Sequence, residues 1–302
     1  MYPSSVAMTV VPAIVAGVEE VIVCTPPRQD GSVHAAVRYA AAKAGAARLV
    51  KVGGAQAIAA MAFGTNSIPA VDRVVGPGNV YVTEAKRQLA GIVGIDGLAG
   101  PTELVVVADG SADARFLAAD LIAQAEHDPK ASTTLITADP PLLGRVAEAL
   151  EAELARAGRR EIIDQALGQS RAVLVADLDD AVEVIDELAP EHLEVVMPNA
   201  RQFATRVRSA GAIFLGPWTP VPFGDYGVAS NHVLPTAGTA RFASGLRAAD
   251  FVTVASVVEL TQAAAVRLAP EVATIARDEG LVGHARAVEI RTESNAEADV
   301  PS

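Results

Sequence analysis

Among its 302 residues the chain has a single cysteine, Cys24. That excludes an internal disulfide framework and suits a reducing compartment. Cys24 ends the apolar run Val21-Ile22-Val23-Cys24 and reads as a small core hydrophobe. Aromatic residues are 4% of the chain against 51% hydrophobic overall, so Ala, Val, Leu and Ile must build the core. Basic residues are outnumbered, 24 Lys and Arg against 36 Asp and Glu, for a net charge of −12. With no basic run, phosphate neutralisation and hence nucleic-acid binding are not expected. No apolar run is long enough to span a membrane: Val10 to Val18 is closed by Glu19-Glu20. The start shows neither a basic region nor a small-residue cleavage site, so no signal peptide is read and the cytoplasm is expected. HExxH, CxxC and GxGxxG patterns are also lacking, which removes the strongest zinc and dinucleotide signatures.

What is present is alternation. Ser4-Ser5 is expected to cap a helix through Ala16, and Val21 to Thr25 reads as a strand stopped by Pro26-Pro27. A helix from Asp30-Gly31-Ser32 to Ala44 would place His34 in its middle, in a structural or surface role. Arg48–Val52 and Asp72–Val75 read as strands, Ala55–Phe63 and Thr83–Leu89 as helices. The glycine-rich stretch Gly91 to Gly100 looks like a boundary. Beyond it, strands Leu104–Val107, Thr133–Ile136, Ala172–Val175, Leu193–Met197 and Ala212–Leu215 alternate with helices Ala112–Ala125, Leu142–Ala157, Ala181–Leu188 and Ala200–Arg208. Gly216 to Arg241 reads as a long loop, followed by helices Val257–Leu268 and Glu271–Asp278. Continuous apolar strands separated by helices imply parallel sheets covered on both faces. The fold class expected is α/β, as two doubly wound, mostly parallel α/β domains with a helical C-terminal extension. The divisions are 1–98, 99–245, 246–291 and a disordered tail, 292–302.

Four of the five histidines stand near acidic or amide residues where elements end. Gln124 and His127 are three apart on one helical face and suit a shared ion. A cationic residue at a helix C-terminus reads the same way. Asp225, Asn231 and His232 lie within eight residues of a Pro- and Gly-rich loop, where an Asp also makes Asx turns. Glu191-His192 sets an acid beside a base at the start of a strand, suited to proton transfer or to activating water; an ordinary loop pair has the same sequence. His284 follows a glycine near the end of the chain and is as readily incidental. Val52-Gly53-Gly54-Ala55-Gln56 and Val75-Gly76-Pro77-Gly78-Asn79 each join a strand to a helix. Such turns either meet a pyrophosphate or simply pack tightly.

Together these segments resemble the histidinol dehydrogenase family. The resemblance rests on Tyr2-Pro3-Ser4-Ser5, Val52-Gly53-Gly54-Ala55-Gln56-Ala57-Ile58-Ala59-Ala60, Gly76-Pro77-Gly78-Asn79, Ala99-Gly100-Pro101-Thr102-Glu103, Gln124-Ala125-Glu126-His127, Ala189-Pro190-Glu191-His192-Leu193, Gly224-Asp225-Tyr226, Asn231-His232-Val233-Leu234-Pro235-Thr236 and Glu279-Gly280-Leu281, in family order over about residues 2 to 291. It implies one zinc per subunit, held by Gln124, His127, Asp225 and His284. It assigns acid–base work to Glu191 and His192, and substrate contacts to Thr102, Gln124, His127, His192, Asp225, His232, Glu279 and His284. NAD contacts fall on Gln56 and Asn79, so 1–98 would meet NAD and 99–245 would carry most of the site. The implied reaction oxidises L-histidinol to L-histidine through a bound aldehyde, reducing two NAD. The implied assembly is a homodimer in which segment 246–291 reaches the partner, so that His284 and Glu279 act in trans.

Two departures from the family pattern stand out. Thr102 replaces a common Ser, keeping the hydroxyl. Met1 directly precedes Tyr2-Pro3-Ser4-Ser5, where family members carry a further segment that adds core elements and a Tyr contacting NAD. A catalytically inactive, zinc-binding fragment is therefore an alternative, as is a zinc hydrolase or lyase using Glu191 to activate water; the latter leaves the glycine turns unexplained.

Overall fold

The computed structural model describes residues 2–228 and 230–293. Residues 2–252 form one compact unit and 253–293 a second.

The larger unit opens with α1 (Pro3–Val15). Tyr2 is its N-cap, and Ser4 and Ser5 lie inside the first turn rather than capping it. Proline starts the helix well because its missing N–H would have no partner there. Strands β1 (Ile22–Cys24) and β2 (Arg48–Val50) pair in parallel around α2 (Ala35–Ala44). His34 is not mid-helix: it is the N-cap of α2, its Nδ1 accepting the Ala36 N–H at 3.2 Å. The residues expected to start that helix instead form a turn closed by Asp30 Oδ1 on the Ser32 N–H and hydroxyl, the local bonding by which Asp competes with helix. Next come α3 (Gly54–Phe63), β3 (Arg73–Val74), α4 (Val80–Leu89) and β4 (Gly94–Ile95). The last pairs with β3 in parallel from within the Gly91–Gly100 stretch, so those residues are a structured part of the first half.

The second half is built on β5 (Glu103–Ala108), β6 (Ser132–Thr137), β7 (Arg171–Leu174), β8 (His192–Val196) and β9 (Ala212–Leu215). They form one parallel sheet in the order β7-β6-β5-β8-β9. The chain enters at the centre, winds outward through β6 and β7, then crosses to the other side, which makes β5 and β8 the switch point of a doubly wound sheet. Helices α5 (Ala114–Ala125) and α6 (Pro140–Leu154) supply Leu117, Leu121, Leu142 and Val146 to the face presented by Leu104, Val106 and Ala108. On the opposite face Val105, Val107, Leu193 and Val195 meet Ala181 and Ile185 of α8 (Leu178–Leu188) and Phe203 of α9 (Ala200–Ala204). Each such fully buried Val, Leu or Phe contributes roughly 1.5–3 kcal/mol. This is the α/β class with parallel sheets expected from the alternation.

Several boundaries differ from expectation. An additional helix, α7 (Arg160–Leu167), follows α6 and packs Ile163 and Ala166 with Ala125 and Ala131. Short helix α10 (Val221–Tyr226) forms inside the stretch expected to be a loop, so Asp225 is helical. In the C-terminal unit one helix, α11 (Gln262–Asp278), continues through Pro270 where two were expected. A turn at Gly280, φ +76°, leads to α12 (Val282–Glu293), and Ala273, Ala276 and Ala285 are buried together. Thr292 and Glu293 of the expected tail are therefore helical, and 294–302 lie outside the described residues. Among the described residues no helix is long and apolar enough to cross a membrane.

Candidate active site

Doubly wound sheets usually bind ligands beyond the carboxyl ends of their strands. Here the chemistry-bearing residues gather at the amino ends. Leu104 pairs with His192 at the start of β5 and β8, so Thr102, Glu103, Glu191 and His192 meet at one edge. α5 runs back antiparallel to the strands, and its C-terminal turn carries Gln124, with His127 just beyond. A cleft of about 460 Å³ opens there. The segments leading into it are strained: Ala189 (φ +46°), just before Pro190-Glu191, and Ala237 (φ +54°) adopt left-handed backbone, at a cost of order 1–3 kcal/mol each.

The carboxylate of Glu191 is buried, at 8% exposure. Its Oε2 accepts the Thr102 hydroxyl at 2.6 Å and the Glu103 N–H at 3.0 Å. Because Thr102 Oγ1 gives its proton to Glu191, it accepts from Gln124 Nε2, which leaves Gln124 Oε1 as the open acceptor. Burial pushes the Glu191 carboxyl up to about 7 despite those donors. His192, 5% exposed, donates Nδ1–H to the Glu103 carbonyl at 3.2 Å. A carbonyl can only accept, so this fixes the tautomer and leaves the Nε2 lone pair as a base. Burial also lowers His192 below the usual imidazole range, and near neutral pH the ring is uncharged.

Asp225 arrives by a different route. After β9 the chain turns at the carboxyl ends, and α10 carries it back toward the amino edge. Gly224 allows this approach, since a Cβ there would lie 2.6 Å from the Phe214 ring. Asp225 Oδ1 lies 3.6 Å from His232 Nδ1, and His232 Nε2 lies 3.2 Å from Ser5 Oγ of α1. Asn231 donates to the Met8 carbonyl at 2.8 Å, so both residues of that loop tie to α1. Burial lowers His232, while Asp225 opposes the shift. Thr102, Gln124, His127, Glu191, His192, Asp225 and His232 thus line one cleft.

The Gly76-Pro77-Gly78 turn lines the same cleft. Lys86, 2% exposed, reaches both the Gly76 carbonyl and Asp96 Oδ1 at 2.6 Å. Asp96 Oδ2 in turn accepts the Gly76 N–H at 2.7 Å. Gly76 has φ +114°, so the turn needs glycine as well as the clamp. Asn79 and Gln56 are exposed and do not line the cleft. Asn79 Oδ1 caps α4 through the Tyr81 and Val82 N–H groups; α3, with Gly53 as its N-cap, has no side-chain cap.

A family model described as histidinol dehydrogenase matches residues 1–292. The chain belongs to the histidinol dehydrogenase family. Curated histidinol dehydrogenases include one from Halalkalibacterium halodurans, 48% identical over 97% of this chain and 69% of its own. Another, from Thermus thermophilus, is 50% identical over 95% of this chain and 69% of its own. A crystal structure of histidinol dehydrogenase from Elizabethkingia anophelis superposes with a TM-score of 0.94 at 37% identity, covering 97% of this chain and 68% of that one. The chain is thus similar to about two thirds of the length of each.

For a histidinol dehydrogenase the donor chemistry of the cleft matters most. Gln124, His127 and Asp225 offer an amide oxygen, an imidazole and a carboxylate, an N/O set suited to zinc that also takes substrate. Among the described residues no three His, Cys, Asp or Glu side chains converge as a metal site. The fit of this cleft to a metal therefore rests on the donor types of Gln124, His127 and Asp225 alone. His284 and Glu279 belong to the C-terminal unit, at the start of α12 and the end of α11, and both are exposed. Sequence reasoning gave no role to Glu103, whose carbonyl orients His192 and whose Oε1 accepts the Ala237 N–H at 3.2 Å. It also missed Lys86 and Asp96. Glu103 lay inside a quoted motif; nothing in the spacing of Lys86 signals burial.

Proposed function

We propose that the chain acts as a cytoplasmic, zinc-dependent homodimer that oxidises L-histidinol to L-histidine in two NAD-linked steps, the aldehyde staying bound between them. The observation that carries this reading is a single cleft lined by the Glu191–His192 pair, by Gln124, His127 and Asp225, and by the Gly76–Gly78 turn. In the first step His192 Nε2 takes the alcohol proton, its ring held by the Glu103 carbonyl. In the second, Glu191 takes a proton from the water that adds to the aldehyde, a role suited to a carboxyl raised to about 7. Thr102 and the Glu103 N–H hold the anion when that proton leaves. NAD would supply the hydride acceptor for each oxidation, and the Gly76 turn, the α3 N-terminus, Gln56 and Asn79 would hold it. Zinc would supply a Lewis-acidic centre that positions the imidazole and amine of the substrate. Its ligands would be Gln124, His127 and Asp225, with His284 of a second copy as the fourth. Thr102, His232 and, in trans, Glu279 complete the substrate contacts.

The test is NAD reduction by the zinc-loaded chain with L-histidinol, together with detection of L-histidine. Two NADH per histidine, lost on His192→Ala, is the expected result. A folded chain that takes up zinc but does not turn over would overturn the reading.

A further inference from the structure

The buried carboxyl of Glu194 has no part in the proton transfers described above, and it carries an anomaly. It is 2% exposed in the middle of β8. Among the described residues its Oε2 is the buried side-chain polar atom with no N–H or hydroxyl donor, the Asp120 carboxyl being the side chain hydrogen-bonded to Glu194. A buried oxygen without such a donor is costly and calls for a reason.

The pleat supplies the setting. His192, Glu194 and Val196 share the face of β8 that packs under α5, with His192 at the cleft and Glu194 one step deeper. Asp120 of α5 meets Glu194 at a small crevice closed by Leu117, Val196 and the segment Gly216–Pro220. The other oxygen, Glu194 Oε1, accepts the Val221 N–H at 2.9 Å. Val221 is the first residue of α10. Pro222 follows it and has no N–H, so this bond is the long-range polar attachment at the start of a six-residue helix. Four residues later the same helix presents Asp225 to the cleft. Such a helix is too short to hold its place unaided.

We propose that Glu194 is a positioning residue, which fixes the start of α10 and thereby sets Asp225 against His232 and the bound substrate, with Asp120 facing the second oxygen. Burial raises the carboxyls of both Glu194 and Asp120, and the charge of Asp120 raises Glu194 further. One proton shared between them accounts for the oxygen that lacks such a donor, and a neutral Glu194 still accepts through Oε1. The effect on turnover rests on the reading of the cleft given above; the anchoring itself does not.

The single tryptophan makes the anchoring readable on its own. Trp218 lies in the segment leading into α10 and stacks edge-on against Phe116 of α5, with ring centroids 5.6 Å apart. Trp218 is 77% exposed, so the signal that reports how α10 is seated is the near-ultraviolet circular dichroism of the Trp218–Phe116 pair. The experiment compares Glu194→Gln, which keeps the acceptor oxygen and offers an N–H to Asp120, with Glu194→Met, which fills the space but accepts nothing. Glu194→Gln should keep the Trp218 signal and a KM for L-histidinol within about threefold of the parent. Glu194→Met should shift the Trp218 signal and raise that KM about tenfold or more, leaving the KM for NAD unchanged. An unaltered Trp218 signal in a folded Glu194→Met, or an altered one in Glu194→Gln, would overturn the anchoring. The Gln comparison stands even if the Met variant fails to fold. A parent chain that does not oxidise histidinol would overturn the proposed function instead, and the Trp218 comparison would still decide the anchoring.

Discussion

The Thr102 hydroxyl donates to Glu191 Oε2 at 2.6 Å and accepts from Gln124. One side chain thus couples the buried acid on β8 to the amide on α5. Thr102→Val breaks both bonds and leaves a buried carboxylate with one donor fewer. Losing a hydrogen bond to a charged group costs about 1.5–3 kcal/mol, so kcat/KM should fall by about one to two powers of ten. The acidic limb of its pH profile, governed by the Glu191 carboxyl, should move upward because the anion has lost a donor. Thr102→Ser should match the parent; a valine variant with the parent profile would refute the coupling.

Glu191 also makes stability depend on pH. Its carboxyl rises from an ordinary 4.5 to about 7 on folding. Between those values the folded chain keeps a proton that the unfolded chain has released. Stability from this group is full below about pH 4.5 and is lost as pH rises toward 7. Glu191→Gln should therefore be more stable than the parent at pH 8 by up to about 3 kcal/mol, and no more stable at pH 4. Denaturant midpoints at the two pH values check this; equal differences at both would contradict it.

Metal removal tests the proposed zinc ligands. Dialysis against a chelator should abolish histidinol oxidation, and zinc should restore it. His127→Ala and Asp225→Ala should each lower bound zinc, measured by atomic absorption, by at least tenfold at micromolar free metal. Full zinc occupancy in both variants would place the metal elsewhere.

Lys86 and Asp96 clamp both polar groups of Gly76. Lys86→Met leaves Asp96 buried without its cation, which typically costs about 3–5 kcal/mol. Chemical denaturation should show that loss, and any folded fraction should have a raised KM for NAD with the KM for histidinol little changed. A variant as stable as the parent would mean that water reaches Asp96.

Apolar runs and their spacing were enough to read the alternation of strands and helices, because a strand buried on both faces must be continuously apolar. Glu191-His192 ahead of Leu193-Glu194-Val195-Val196 could be read as standing at a strand start, and the family resemblance rested on contiguous motifs. Local competition hid other features. Asp30 takes the Ser32 N–H and delays α2, making His34 a cap. A six-residue helix with Pro222 and Gly224 inside it has too little periodicity to be seen, so Asp225 looked like a loop residue.

Short-range patterns along the sequence by itself determined the α/β class, the family and the residue types that could do acid–base chemistry. Tertiary structure alone decided that Thr102, Gln124 and Glu191 form one hydrogen-bonded chain and that Glu103 sets the His192 tautomer. It also decided that Lys86, on a helix that looks amphipathic and exposed, is buried on Asp96. The reason is physical: burial and hydrogen-bond partnership depend on which chain segments meet across the sheet, and residues 89 apart, as Thr102 and Glu191 are, leave no local signal of that meeting.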